Sequence, residues 1–165
     1  MKIVIRNLAN GIHNFEFTAS KESLDLEGNQ NFVNKIKVYA TCDKNDNNVV
    51  IKTRVVTLAH FQCDNCLNEF TRRIDEEIDL FCTLQPQVEN SDEESVVLLN
   101  PRTHELDLTQ AVRECLLLAV PMKTVCQDDC KGLCPTCGAN LNLGLCDCIH
   151  ETADPRWDTL KKLLQ

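Results

Sequence analysis

Eleven cysteines are the side chains of this 165-residue sequence that are best suited to chemistry. Six of them lie in the 23 residues from Cys126 to Cys148. Cys134 and Cys137 belong to a C-P-x-C-G loop, in which two thiolates can hold one metal ion from a tight turn. Gly138 allows the backbone to bend so that its N–H groups face the sulfurs. This spacing predicts a zinc knuckle with Cys134 and Cys137 as its firm pair of ligands.

The residues alone leave the partners of that pair open. Three more cysteine pairs are available, namely Cys146 with Cys148, Cys126 with Cys130, and Cys63 with Cys66. Four thiolates close a tetrahedral zinc site with no open position, which is typical of structural rather than catalytic zinc. We expect Cys134, Cys137, Cys146 and Cys148 as the metal ligands, with the other four as alternative or second-site ligands. Three cysteines would then be ordinary residues: Cys42, Cys82 and Cys115.

Disulfide bonding and thiol redox chemistry are the competing uses of these cysteines. Charged and polar residues come too early in the sequence for a secretory signal peptide, so we expect a cytoplasmic, reducing location, where disulfides are rare. The motif Cys63-Asp64-Asn65-Cys66 is not followed by a helix pattern, whereas a thioredoxin-type C-x-x-C opens a helix. A zinc half-site is therefore favoured over redox chemistry, with two unmetallated surface cysteines as the third interpretation.

The charge balance is acidic, with a formal net charge of −8. Each zinc held by four thiolates would add a charge of about −2. Such a chain is a poor nonspecific binder of phosphate backbones. Its basic clusters are short, namely Arg72-Arg73 and Arg156 with Lys161-Lys162. No apolar run approaches the length of a membrane span, so no membrane association is expected.

The hydrophobic pattern predicts an α+β fold with an antiparallel β-rich core. Alternating residues predict three long strands, over residues 32–42, 49–62 and 70–84. This places the Cys63 to Cys66 motif at the tip of a hairpin. An Asn-Gly pair predicts another hairpin, between residues 2–8 and 12–18. Residues 86–95 are expected to form an acidic linker.

Two helices are predicted. The first runs over residues 106–120, with Asp107 as its N-cap and an apolar stripe that should bury it against the core. The second is a short C-terminal helix capped by Asp154, with a proline in its first position. We expect residues 1–125 to form the β-rich core. Residues 126–165, the zinc-knuckle segment and the C-terminal helix, should pack on that core as a single compact unit.

Several motifs occur in a fixed order along the chain: CDNCLNEF, DLTQAVRECLLLAVPMKTVC, DCKGLCPTCGANLN, CDC and DPRW. Over roughly residues 55–165 this order resembles the YceD family, described as large ribosomal RNA subunit accumulation proteins. The block from GLCPTCGANLN to DPRW resembles the longer, Cys-rich members of the family. The resemblance implies a role in accumulation or assembly of large-subunit ribosomal RNA, in bacteria or plastids, and it implies no enzymatic reaction.

The expected function is therefore a noncatalytic factor in large ribosomal subunit biogenesis, with no small-molecule substrate. Its partner is a ribosomal protein or the large-subunit rRNA precursor. The acidic balance favours a basic ribosomal protein, contacted through residues 89–94 and 75–77. The alternative is a zinc-ribbon nucleic-acid-binding accessory factor. That alternative needs a basic, aromatic face, and the segment 126–148 has only Lys131 as a basic residue. An enzyme is disfavoured because the H-x-E…P-C-x-x-C deaminase pattern is absent.

Overall fold

The computed structural model describes residues 1–6, 8–46, 48–83, 96–98 and 104–148, and it describes 96–98 by their backbone alone. The chain divides into two compact units. The first, here named the sheet unit, comprises Met1–Phe61 and Phe70–Met122. The second, named the cysteine unit, comprises Gln62–Glu69 and Lys123–Gln165. The expected packing of residues 1–125 and 126–165 as a single compact unit stays a prediction.

A mostly antiparallel sheet dominates the described residues. Its strands, with those of a small second sheet, are β1 Lys2–Val4, β2 Gly11–Ala19, β3 Ile36–Asn45, β4 Asn48–Gln62, β5 Glu69–Thr83, β6 Val96–Leu98 and β7 Glu105–Asp107. The larger sheet has the order β2-β3-β4-β5-β6, and β1 pairs with β7 in the smaller one. Strand β3 is antiparallel to β2 and to β4, whereas the short edge strand β6 is parallel to β5. The two longest predicted strands, β4 and β5, are confirmed to within one residue at each end.

The long strands bury one face and expose the other. On β3 the residues Ile36, Val38, Ala40 and Cys42 are buried, and the residues between them are exposed. Alternate residues of β4 are buried in the same way, including Ile51 and Val55. Successive side chains of a strand point to opposite faces, so a two-residue apolar period produces this separation. The exposed face consequently carries charged residues of all three strands, such as Lys37, Arg54 and Asp75.

The described residues contain one α-helix, α1, at Thr109–Leu118. The predicted helix start at residue 106 is wrong, because Leu106 lies in β7 and pairs with Ile3 of β1. The N-cap is Leu108, so the prediction of Asp107 as N-cap is wrong as well; Asp107 lies one residue earlier, where its Oδ1 accepts the N–H of Thr109 at 2.9 Å. Helix α1 buries Val112, Cys115 and Leu116, as its apolar stripe predicts. Its last residue, Leu118, is 85% exposed, so the helix end is not buried all round.

The predicted hairpin between residues 2–8 and 12–18 is also wrong. Strand β2 pairs with β3, for instance Phe15 with Ala40, while β1 pairs with β7. Asn10 does not turn the chain back on β1. Its amide donates to Asp46 Oδ1 at 2.6 Å and accepts the Asp46 N–H at 3.1 Å, which ties it to the β3–β4 turn. A local turn signal was outweighed by long-range pairing.

Three predictions fall outside the described residues, namely the acidic linker at 86–95, the partner contact at 89–94 and the C-terminal helix capped by Asp154. Within the described ranges, no helix has the length and apolar character needed to cross a membrane.

Candidate metal centres

The turn between β4 and β5 holds the first pair of cysteines at the hairpin tip, as predicted. The Cys63 N–H donates to Asn68 O at 2.9 Å, and the Leu67 N–H donates to Cys63 O at 2.9 Å. Closing this turn places Leu67 in the left-handed region, with φ of 60°. Cys63 and Cys66 are both buried. The turn thus presents two sulfurs from a tightly hydrogen-bonded loop.

The loop that begins at Cys134 has the same construction. The Cys134 N–H donates to Ala139 O at 2.8 Å, and the Gly138 N–H donates to Cys134 O at 2.8 Å. Gly138 takes the left-handed conformation, with φ of 74°, that Leu67 takes in the other loop. Both loops therefore share one knuckle geometry, in which one uses glycine and the other uses leucine at the left-handed position.

The first knuckle meets a second pair of cysteines to form what we name the first cysteine group: Cys63, Cys66, Cys126 and Cys130. Their four Sγ atoms all lie within 4.8 Å of one another. Cys63 Sγ is 3.8 Å from Cys130 Sγ, and Cys66 Sγ is 3.7 Å from Cys126 Sγ. Disulfide sulfurs are about 2.05 Å apart. Sulfurs bound tetrahedrally to zinc at about 2.3 Å lie about 3.8 Å from one another. The spacing therefore fits a shared metal ion and not a disulfide.

The second cysteine group comprises Cys134, Cys137, Cys146 and Cys148, whose Sγ atoms also lie within 4.8 Å of one another. Of the pairings that the sequence leaves open, the structure thus brings Cys134 and Cys137 together with Cys146 and Cys148. The other two pairs join each other in the first group. No cysteine belongs to both groups. The binding of metal by these eight residues stays a prediction.

The three remaining cysteines, Cys42, Cys82 and Cys115, are buried in the hydrophobic core of the sheet unit. Burial raises the pKa of all three thiols, and it raises the pKa of Cys82 to about 11. They are small core residues, because a thiol that keeps its proton is neither a nucleophile nor a metal ligand.

Thr124 joins the first knuckle to the segment that carries Cys126. Its N–H donates to Asp64 Oδ2 at 2.6 Å, and its carbonyl accepts the Asp64 N–H at 2.8 Å. Its hydroxyl donates to Gln62 O at 2.8 Å. These three bonds hold residue 124 beside the hairpin tip, which brings Cys126 close to Cys66. The sequence patterns did not predict a role for this residue, because a threonine outside a recognised motif carries no signal of its own.

Asn142 connects the two cysteine groups and was also missed. Its Nδ2 donates to Cys130 Sγ at 3.3 Å, and its Oδ1 accepts the Lys131 N–H at 2.9 Å. It lies in the loop between Cys137 and Cys146, yet it orients a sulfur of the first group. Such contacts orient metal ligands. The two asparagines of this loop, Asn140 and Asn142, are the only sequence signal that points to it.

Backbone N–H groups favour ionisation of one sulfur in each group. Burial of Cys63 opposes its ionisation, but the N–H groups of Cys66 and Cys126 outweigh this effect and lower the pKa of the Cys63 thiol to about 6. The Cys126 N–H lies 3.4 Å from Cys63 Sγ. The Cys137 N–H, 3.4 Å from Cys134 Sγ, similarly lowers the pKa of the Cys134 thiol to about 6.

In each cysteine group, crowding raises the pKa of another thiol. Burial, together with the neighbouring Cys66 thiol, raises the pKa of Cys126 to about 12. The adjacent Cys137 thiol and burial raise the pKa of Cys148 to about 12. Four ionised sulfurs so close together repel one another unless a cation lies among them. The donor set therefore suits a soft, thiophilic divalent cation such as Zn²⁺, and four thiolates leave that ion no open coordination position.

Comparison with known proteins gives the following matches. The family model described as "Large ribosomal RNA subunit accumulation protein YceD" matches residues 51–164. A chloroplastic YCED homolog 1 of Arabidopsis thaliana is 36% identical over 63 residues, which is 38% of this chain and 20% of the relative. An uncharacterized protein of Mycobacterium bovis is 32% identical over 105 residues, 62% of this chain and 49% of the relative. No solved structure matches the chain.

The chain spans a fifth of the length of the Arabidopsis relative and about half of the mycobacterial one. A chloroplastic YCED homolog 1 of Zea mays is 47% identical over 38 residues, or 23% of this chain. The family match covers both cysteine groups and all of β5 and α1. On this evidence the chain belongs to the YceD family of large ribosomal RNA subunit accumulation proteins.

Proposed function

We propose that this protein is a noncatalytic factor in the accumulation of large-subunit ribosomal RNA, and that its two cysteine groups each hold one structural zinc ion. Family membership supports the first part, because the family is named for this role. The closed set of four sulfurs in each group supports the second part. The plant relatives carry the same description in their names.

Zinc is the ion that the donor chemistry favours. Tetrahedral sulfur-only sites select zinc or iron–sulfur centres, and hard cations such as Mg²⁺ prefer oxygen ligands. The zinc would link segments that are distant in sequence, since the first group joins residues 63–66 to residues 126–130. Small metal-bound lobes depend on their ion for folding, with apparent binding energies of about 10–16 kcal/mol. A structural role follows from this dependence.

A noncatalytic role is consistent with the closed geometry of the two groups. Catalytic zinc has three protein ligands and a position for water or substrate. Here all four positions of each ion would be taken by cysteine sulfurs. The proposed partner is a component of the large-subunit precursor, either a ribosomal protein or the rRNA itself. The cytoplasm is the proposed compartment, because free thiols and zinc thiolates persist under reducing conditions.

Metal content tests the zinc proposal. Native mass spectrometry of the wild-type chain should give two zinc ions per molecule. Cys66→Ser and Cys134→Ser should each lower this content to about one ion, because each removes one of four ligands from a different group. Cys115→Ser is the matched control, since it changes a core cysteine outside both groups and should leave both ions bound. A wild-type protein that binds no zinc, or a Cys134→Ser variant that keeps both ions, would contradict the assignment.

The biological role is tested in cells depleted of this protein. Large-subunit rRNA should fall relative to small-subunit rRNA, and expression of the wild-type chain should restore the ratio. Cys66→Ser and Cys134→Ser should restore it poorly if the zinc-bound fold is required, whereas Cys115→Ser should restore it. An unchanged ratio after depletion would refute a role in rRNA accumulation.

A further inference from the structure

An open groove crosses the exposed face of the sheet, and the cysteine groups play no part in it. It has a volume of about 780 Å³ and lies over β3, β4 and β5. Prominent among its lining residues are Lys35, Lys37, Tyr39, Arg54, Leu58 and Arg73. The strand register explains why these residues lie together, since Tyr39 lies opposite Arg54 and Lys37 lies opposite Val56. Residues that are far apart in sequence thus form one surface.

The groove is positively charged although the chain as a whole is acidic. Four of its lining residues are cations, and none of the described residues that line it is acidic. Asp75 lies beside the groove, where Arg54 holds it with two bonds of 2.6 and 2.7 Å and Arg73 holds it with one of 2.7 Å. Its single charge is therefore shared between two guanidinium groups. The rest of the positive charge is available to an anionic ligand.

Lys35 and Lys37 supply that available charge. Both side chains are exposed, and within the described part of the chain neither ammonium group forms an ion pair. Tyr39 stands between Lys37 and Arg54 in this array, and it is 38% exposed. An aromatic ring on the exposed face of a sheet, flanked by cations, is the combination that binds single-stranded nucleic acid: the ring stacks on a base and the cations contact phosphates.

We propose that this groove binds single-stranded RNA, with Lys35 and Lys37 contacting phosphates and Tyr39 stacking on a base. The proposal rests on the proposed function, for which it names the partner as RNA rather than protein. A basic ribosomal protein would meet charge of its own sign here. Other acidic residues share this face, among them Glu16 across from Tyr39 and Glu77 beyond Asp75, and they limit the site to the groove itself.

Binding of a labelled single-stranded RNA of about ten nucleotides tests the proposal by fluorescence anisotropy. Replacing both lysines, Lys35→Gln with Lys37→Gln, should weaken binding about tenfold at physiological salt, because each lost phosphate contact lowers the salt slope by about 0.7. The charge-matched control, Lys21→Gln with Lys123→Gln, lies outside the groove and should bind as the wild type does. Equal losses in both double variants would overturn the proposal, because they would reflect net charge alone.

A matched pair of variants tests whether the Tyr39 ring stacks on a base. Tyr39→Ala should weaken binding about fivefold or more, and Tyr39→Phe should bind normally, because stacking needs the ring and not the hydroxyl. Duplex RNA of the same length should bind more weakly, since its bases are already stacked. Equal binding of Tyr39→Ala and wild type would mean that the groove recognises phosphate only, which would overturn the assignment to single-stranded RNA.

The variant Asp75→Asn distinguishes an RNA partner from a protein partner, because it should change the affinity for the two in opposite directions. Removing this carboxylate frees Arg54 and Arg73, so RNA binding should strengthen about fourfold at physiological salt. If the face instead bound a basic ribosomal protein through its acidic residues, the same variant would weaken binding to that protein. Stronger RNA binding supports the proposal, and weaker binding to purified large-subunit proteins with unchanged RNA binding overturns it.

Complementation of depleted cells tests the RNA-binding groove separately from the proposed role in rRNA accumulation. If wild-type protein restores large-subunit rRNA in depleted cells but the double lysine variant restores it equally well, the groove is refuted and the role in rRNA accumulation stands. If wild-type protein has no effect on rRNA, the proposed function itself is refuted. We expect the wild type to restore rRNA fully and the double lysine variant to restore it poorly, with unchanged zinc content.

Discussion

Leu67→Gly should make the first cysteine group more stable, although it removes a large side chain. Leu67 has φ of 60° in the first knuckle, where the second knuckle has Gly138 at 74°. A non-glycine residue in this conformation brings its Cβ close to the following carbonyl oxygen, at a cost of about 1–2 kcal/mol. The side chain is 54% exposed, so little packing is lost on its removal.

The expected change in the free energy of unfolding follows from two opposing effects. Glycine removes the left-handed cost of about 1–2 kcal/mol, but it loses about 0.5–1 kcal/mol more chain entropy on folding. The net expected gain is about 1 kcal/mol in the free energy of unfolding. Because knuckle folding and zinc binding are coupled, this corresponds to about fivefold tighter apparent zinc binding. Gly138→Ala should change the second group by a similar amount in the opposite direction. Among the described residues, no atom other than those of its two chain neighbours lies within 4 Å of the added Cβ, so its effect is one of backbone conformation.

Competition with a chromophoric zinc chelator measures both changes, and native mass spectrometry resolves the successive loss of the ions. Leu67→Ala is the matched control, because it removes most of the side chain but keeps the left-handed cost. It should therefore give no gain. The reasoning is refuted if Leu67→Gly and Leu67→Ala behave alike, or if Leu67→Gly weakens zinc binding, since either result would mean that the leucine side chain itself stabilises the turn.

Other expected outcomes concern the sheet unit. Thr53→Val should raise the free energy of unfolding by about 1 kcal/mol in denaturant titrations, because the Thr53 hydroxyl is buried and has no hydrogen-bond partner among the described residues. A loss of stability would indicate a hidden partner. The Arg54 guanidinium lowers the pKa of Asp75 to about 2, so the ion pair stabilises the fold above about pH 4 and is lost as the pH falls towards 2. Thermal unfolding of wild type and Asp75→Asn should therefore converge over this range, and a constant difference would argue against the pair. Cys82 should resist alkylation in the folded protein, as peptide mapping can show, because burial raises its pKa to about 11.

Local patterns in the sequence determined much of the secondary structure and the identity of the cysteines. Alternating apolar residues predicted β4 and β5 nearly to their ends, because the two-residue period of a strand is a local property. The hairpin tip at Cys63 and Cys66 followed from those strands. The C-P-x-C-G loop predicted a knuckle at Cys134 and Cys137, since the turn that presents both sulfurs forms within six residues.

Only the tertiary structure decided which elements meet. The partners of each cysteine pair could not be derived from spacing, because Cys63 and Cys126 are 63 residues apart and are brought together by Thr124 and its bonds to the hairpin tip. The helix began late because Leu106 pairs with Ile3, a contact that a local helical pattern does not contain.

The same reason explains why the average charge gave no hint of the basic groove. Composition records 25 acidic and 17 basic residues without their positions. The register of β3 on β4 places the Lys37 and Tyr39 pair beside Arg54, and the neighbouring strand β5 adds Arg73. Strand pairing concentrates on one face charges that are dispersed along the chain, so the local field depends on the fold while the net charge depends on the sequence alone.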